Sequence, residues 1–149
     1  MSPGGRVAVM HGVNFDVLER RHPELYGGGT LQDVERQIEA YARAVGLETS
    51  FFQTNSEREF VEHLHRLPDT ADGAILNPGA WTHYAWAIHD ALEIADVPTV
   101  EVHLSDIAAR EPWRRLSVVS DLCLATFAGH GVEGYRLALE RLAEELGAG

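Results

Sequence analysis

The residues able to do chemistry without a cofactor fall in four short segments. The first runs His11-Gly12-Val13-Asn14, then Arg20-Arg21-His22-Pro23-Glu24-Leu25-Tyr26 and Gly27-Gly28-Gly29, and so sets a phenol close to two guanidinium groups. A guanidinium beside the hydroxyl favours the phenolate and makes Tyr26 a candidate general base. The second, Asn77-Pro78-Gly79-Ala80-Trp81-Thr82-His83, brings an amide, a tight turn and an imidazole to the start of a helix, where anionic or oxygen-rich ligands are favoured. In the third, Glu101-Val102-His103-Leu104-Ser105-Asp106, strand alternation places Glu101, His103 and Ser105 on one side. Glu101 can then orient the His103 ring and raise its pKa, which suits a general acid. The fourth, Arg110-Glu111-Pro112-Trp113-Arg114-Arg115, joins Arg20 and Arg21 in a cluster suited to a small carboxylate. Each segment also admits a plainer role: a tyrosine packed on its own loop, a histidine capping a helix, a buried polar pair at a sheet end, or solvated ion pairs.

Composition narrows the chemistry further. All 12 basic side chains are arginine, against 23 acidic ones, for a formal net charge of −11. Without lysine there is no Schiff base, no P-loop and no ordinary pyridoxal-phosphate chemistry. The charge is of the wrong sign for nucleic acid or an anionic membrane surface as partner. No apolar run reaches the roughly 20 residues of a membrane span, and Met1 to Met10 lack the apolar core of a leader, so a soluble, cytoplasmic protein is expected. The single Cys123, inside Leu122-Cys123-Leu124-Ala125-Thr126-Phe127, reads as a small core residue and can form no internal disulfide. His63-Leu64-His65 and His22-Pro23-Glu24 make no metal framework, the Gly12 region lacks GxGxxG, and Gly129-His130-Gly131 near the fifth strand reads as too short for a dinucleotide loop, so neither a metal nor a nucleotide cofactor is indicated.

Those segments need a scaffold, and the hydrophobic pattern supplies one, alternating β-like runs with helical periods in one domain over residues 1–149. Strands are expected at Val7–Met10, Thr49–Phe52, Gly73–Asn77, Thr99–Val102 and Leu122–Phe127. Helices are expected from a capping box at Thr30-Leu31-Gln32-Asp33 to Gly46, and from a second box at Ser56-Glu57-Arg58-Glu59 to Pro68. A third carries Trp81, Ala85, Ile88 and Leu92 inward to about Ala95, and the last starts near Gly131 and buries Val132, Tyr135, Leu139, Leu142 and Leu146. Five β/α units make an α/β fold, a flavodoxin-like doubly wound five-stranded parallel sheet with helices on both faces. The four segments then follow strand carboxyl ends, where such sheets bind ligands. The stretch of about 12–29, without helical or strand period, reads as a lid hinged on its glycines.

Taken together and in order, Asn14 with Arg21-His22-Pro23-Glu24-Leu25-Tyr26-Gly27, Asn77 to His83, Glu101 to Ser105, and Arg110 to Arg114 resemble the type II dehydroquinases, over nearly the whole chain from Val7 to about Leu142. The resemblance implies a 3-dehydroquinate dehydratase without metal or organic cofactor, acting by anti elimination through an enolate. It implies Tyr26 as base with Arg21 beside it, Asn14 positioning a water at the enolate, and His103 as acid oriented by Glu101. Asn77, His83 and Arg114 would hold substrate hydroxyls, Ser105 and the backbone of Leu104 the carboxylate, and Asp90 a neighbouring subunit's site. A homo-oligomer, a dodecamer of trimers, is implied as well.

The chain departs from the family pattern at Val13, Phe15, Asp16, Val17, Glu19, His22, Asp106, Leu116 and Val118. If Asp16 or Asp106 faced the pocket, its charge would oppose a carboxylate substrate. Two alternatives follow: a paralogue that dehydrates a related hydroxylated cyclic acid, and a non-catalytic assembly module on the same scaffold.

Overall fold

The computed structural model describes residues 5–147; the remaining residues of the expected 1–149 domain, 1–4 and 148–149, lie outside the described residues. Strands β1 (Arg6–His11), β2 (Glu48–Gln53), β3 (Gly73–Asn77), β4 (Thr99–His103) and β5 (Ala125–Ala128) form one parallel sheet in the order β2-β1-β3-β4-β5. Its order reverses beside β1, between β1 and β3, the place where doubly wound sheets open a crevice. Helices α2 (Leu31–Ala44) and α5 (Glu133–Leu146) cover one face; α3 (Glu57–Thr70) and α4 (Trp86–Ala95) cover the other.

Strand parity divides the core. Val7, Val9, Ile75, Val100 and Val102 pack with Ile38, Tyr135, Leu139 and Leu142, whereas Ala8, Met10, Ala74 and Leu76 pack with Phe60, Leu64, Ile88 and Leu92. Both faces are buried, so the central strands read as continuous apolar runs.

Helix starts follow local chemistry. Thr30 and Asp33 form the full reciprocal capping box at α2. At α3 the Ser56 hydroxyl accepts from the Glu59 N–H at 3.2 Å, but the Glu59 carboxylate turns to the Thr54 hydroxyl instead of closing the box.

Four boundaries differ from the sequence expectation. Helix α3 continues through Pro68 to Thr70: the ring falls in the last turn, where only one bond is lost, and buried Leu67 accepts from the Ala71 N–H at 2.9 Å. The helix expected around Trp81 splits into a 3-10 turn, Gly79–His83, and α4. The Thr82 carbonyl is taken by the Val118 N–H at 2.7 Å, so the Trp86 N–H turns to Tyr84 instead. Strand β5 starts at Ala125, because Ser120–Leu122 form a turn that ends when the Cys123 N–H returns to the Ser120 carbonyl at 3.1 Å. Cys123 therefore sits before the strand, half-buried, and not within the core run. The stretch expected to lack structure contains a 3-10 turn, Phe15–Arg20, and a one-turn helix α1 (Pro23–Tyr26), both too short to show a period.

Candidate active site

The carboxyl ends of β1, β3 and β4 open onto a cleft of about 130 Å³, roofed by α1 and the arginine-rich turn Pro112–Arg115. Asn14, Arg21, Tyr26, Asn77, His83, His103, Leu104, Ser105 and Arg114 all line it. Nine expected site residues, drawn from four separated segments, thus share one surface.

Tyr26 ends α1 and turns its hydroxyl toward two guanidinium groups. Arg21 Nη2 donates to Tyr26 Oη at 2.7 Å and Arg110 Nη1 donates to it at 2.6 Å. Arg21 also lies over the ring, 4.3 Å from its centroid. Two cationic donors therefore converge where a phenolate would carry its charge. Arg110 belongs to the cluster seen in the sequence, yet nothing in the spacing singled it out from Arg114 and Arg115 as a partner 84 residues away. It also donates to Ser105 Oγ at 3.2 Å, which ties the tyrosine to the expected carboxylate subsite.

Asn14 is held in an unusual backbone conformation, with φ of 74°. The end of β2 and the loop after it clamp this turn: the Asn14 N–H donates to Asn55 Oδ1 at 2.8 Å, and Gln53 Nε2 donates to the Gly12 carbonyl at 3.1 Å. Asn55 Nδ2 in turn donates to Asp16 Oδ2 at 3.0 Å. Gly12 packs so closely on Pro78 that a Cβ there would lie 2.2 Å from the Pro78 carbonyl oxygen.

His103 and Glu101 form the expected pair. His103 Nε2 donates to Glu101 Oε2 at 2.5 Å, which leaves Nδ1 as the nitrogen free for a ligand. Glu101 is fully buried, and hydroxyls of Thr82 (2.7 Å), Ser117 (2.8 and 2.9 Å) and Thr126 (3.1 Å) also donate to its carboxylate. Burial alone would push this carboxyl up; the bonds from His103, Thr82 and Ser117 outweigh it and hold Glu101 below its ordinary value. It stays charged and fixes the ring. The three hydroxyl residues carry no motif of their own, so sequence reading passed over them.

His83 Nδ1 donates to the Leu116 carbonyl at 2.7 Å, which turns Nε2 away as an acceptor. Burial holds this imidazole below its ordinary pKa, against the raising effect of that carbonyl. His83 thus makes a backbone tie instead of a helix cap, and Trp113 packs edge-on against it at 5.3 Å. Arg114 is paired through Nε with Glu111 Oε2 at 3.0 Å.

Asp90 does not join this cleft. It lies exposed on α4, with Oδ1 3.0 Å from His89 Nδ1. Neither Asp16 nor Asp106 lines the cleft either: Asp16 is taken by Asn55, and Asp106 caps the turn at Ala108 N–H, 3.2 Å away. Leu116 serves the site through its carbonyl alone, so its departing side chain leaves the contact intact. Among the described residues no three His, Cys, Asp or Glu side chains converge as metal ligands.

A family profile described as Dehydroquinase class II matches residues 5–143. The chain belongs to the class II dehydroquinases. The 3-dehydroquinate dehydratase of Thermotoga maritima is 45% identical over 141 residues, 95% of this chain and 96% of that protein. The crystal structure of the type II dehydroquinase from Propionibacterium acnes superposes with a TM-score of 0.90 at 40% identity, covering 97% of this chain and 99% of that one. The type II dehydroquinase from Butyrivibrio crossotus gives a TM-score of 0.87 at 31% identity, covering 92% and 96%. The dehydroquinase fold, the five-stranded parallel sheet with helices on both faces, is therefore shared along with the sequence.

Proposed function

We propose that this class II dehydroquinase removes water from 3-dehydroquinate to give 3-dehydroshikimate, as the names of its relatives suggest. The observation that carries the reading is the pair of guanidinium groups on Tyr26 Oη in the same cleft as a carboxylate-anchored histidine. Tyr26 takes the proton beside the ketone, and the electron pair moves onto the ketone oxygen as an enolate. Asn14 holds a water against that oxygen. The enolate then re-forms the ketone as the neighbouring C–O bond breaks, and His103 gives the leaving hydroxyl a proton from Nδ1, releasing water. Base and acid line the same cleft, and the elimination proposed is anti. Asn77, His83 and Arg114 hold the hydroxyls; Ser105 and the Leu104 backbone hold the carboxylate. No metal or organic cofactor takes part in these steps.

The whole chain acts as one domain, with residues of about 12–29 as the lid over the cleft. Exposed Tyr84, Trp86 and Trp113 support assembly into a homo-oligomer, a dodecamer by resemblance, in which Asp90 reaches a neighbouring subunit's site. The compartment proposed is the cytoplasm, in keeping with one cysteine and no disulfide partner. Val13, Asp16, Glu19, His22 and Asp106, the departures that argue for a different cyclic acid, are not among the residues lining the cleft.

The test is the ultraviolet absorbance of the conjugated enone when purified protein meets 3-dehydroquinate. Rapid appearance is expected, with Tyr26→Phe lowering kcat at least ~100-fold. No chromophore from folded protein, or a Tyr26→Phe loss below about fivefold, would overturn the reading.

A further inference from the structure

Beneath the cleft, three polar side chains meet inside an otherwise apolar core: His11 at the end of β1, Asn77 at the end of β3 and Tyr135 in the first turn of α5. His11 and Tyr135 are completely buried and Asn77 almost so. Asn77 Nδ2 lies 3.0 Å from Tyr135 Oη, and Tyr135 Oη lies 2.7 Å from His11 Nε2. Such groups are costly to bury unless each has a partner, so their bonds must be mutually consistent.

Only one direction makes them so. The Gly79 N–H can only donate, and it faces Asn77 Oδ1 at 3.4 Å, which assigns the oxygen of the amide to that side. Nδ2 therefore donates to Tyr135 Oη, and the phenol's own hydrogen must find another acceptor. His11 Nε2 is the one within reach, so the imidazole carries its hydrogen on Nδ1, the buried atom left without a partner. The reverse tautomer would orphan both the phenol hydrogen and the Nδ1 lone pair.

We propose that Tyr135 is a positioning residue, whose hydroxyl, backed by His11, locks the Asn77 amide in the orientation that the cleft presents to a ligand. The locked amide keeps one Nδ2 hydrogen and one Oδ1 lone pair free, a donor beside an acceptor, which matches a ligand hydroxyl. The inference rests on the proposed dehydration, in which Asn77 holds a substrate hydroxyl. Neither His11 nor Tyr135 lines the cleft, so both act through Asn77.

A double-mutant cycle on kcat/KM tests it. Tyr135→Phe keeps the ring and removes only Oη; a loss on the order of tenfold is expected, the scale of one hydrogen bond. In an Asn77→Ala background the same change should cost less than about twofold, whereas a structural role would give additive losses. The second readout uses the unaltered protein. The ¹⁵N spectrum of its histidines should show His11 protonated on Nδ1 with a pyridine-like Nε2, whether or not the variants fold. Additive losses, a Tyr135→Phe effect under about twofold, or an Nε2-protonated His11 would each overturn the assignment. Absence of turnover by the unaltered chain would instead remove the dehydration reading, leaving the bond direction to the spectrum.

Discussion

Acid should destabilise this protein through His11 before its carboxylates titrate. Burial without any charged partner lowers the His11 pKa from 6.5 to about 3. A second ring proton would have to sit on Nε2, where it would displace the Tyr135 hydrogen from its acceptor, while Nδ1–H already lacks one. Between pH 6.5 and about 3 the unfolded imidazole therefore binds a proton that the folded one refuses. The stabilisation is fully present above pH 6.5 and declines as the pH falls, by about 1.4 kcal/mol per pH unit. At pH 5 that amounts to about 2 kcal/mol relative to about pH 8. Glu101, whose folded pKa is lowered, adds to the loss only below its unfolded value of 4.5, and so not between pH 8 and pH 5. Buried His83 and half-buried His63 act in the same direction as His11, and His89, raised by Asp90, in the opposite one. The perturbation is therefore His11→Gln, which retains a hydrogen-bonding end for Tyr135 and cannot titrate. Urea unfolding of both proteins at fixed concentration, at about pH 8 and pH 5, gives the difference of differences. A pH dependence about 2 kcal/mol shallower in His11→Gln is expected; parallel dependences, within about 0.5 kcal/mol, would refute the reasoning.

His103→Ala should lower kcat by a factor of ~100 or more at the step where the hydroxyl leaves, and unchanged turnover in the enone assay would mean that another group delivers the proton. Arg110→Ala, which removes one of two donors to Tyr26, should cut kcat on the order of tenfold, while KM reports the loss of its bond to Ser105. In Gly12→Ala the new methyl meets the Pro78 backbone at 2.2 Å, so thermal unfolding should reveal a destabilisation of roughly 1–3 kcal/mol; an unshifted Tm would show that this contact relaxes freely. Burial pushes the Cys123 thiol up to about 12, and its Sγ already donates to the Val119 carbonyl at 3.3 Å. Iodoacetamide at about pH 8 should leave it unmodified in the folded protein and alkylate it in denaturant, as intact-mass measurement will read.

Local rules determined much of this protein. Short-range periodicity placed five strands and four long helices, because which face of an element is apolar depends on residues two to four positions apart. Residue type and the order of the segments likewise pointed to Tyr26, His103 and their neighbours, since chemistry restricts which side chains can act as base and acid. Only the tertiary structure decided what surrounds them. Arg110 reaches Tyr26 from 84 residues away, and Glu101 gathers hydroxyls from Thr82, Ser117 and Thr126, contacts that follow from which strands adjoin and not from any spacing. Whether Asp16 would face the pocket was open in the sequence, and the Asn55 amide holds it outside. His11 shares the face of Val7 and Val9 by simple alternation, so its side was legible; that a helix from the far end of the chain brings Tyr135 down onto it was not. Sequence distance carries no record of such meetings, because burial and hydrogen-bond partners are set by the packing of elements in space.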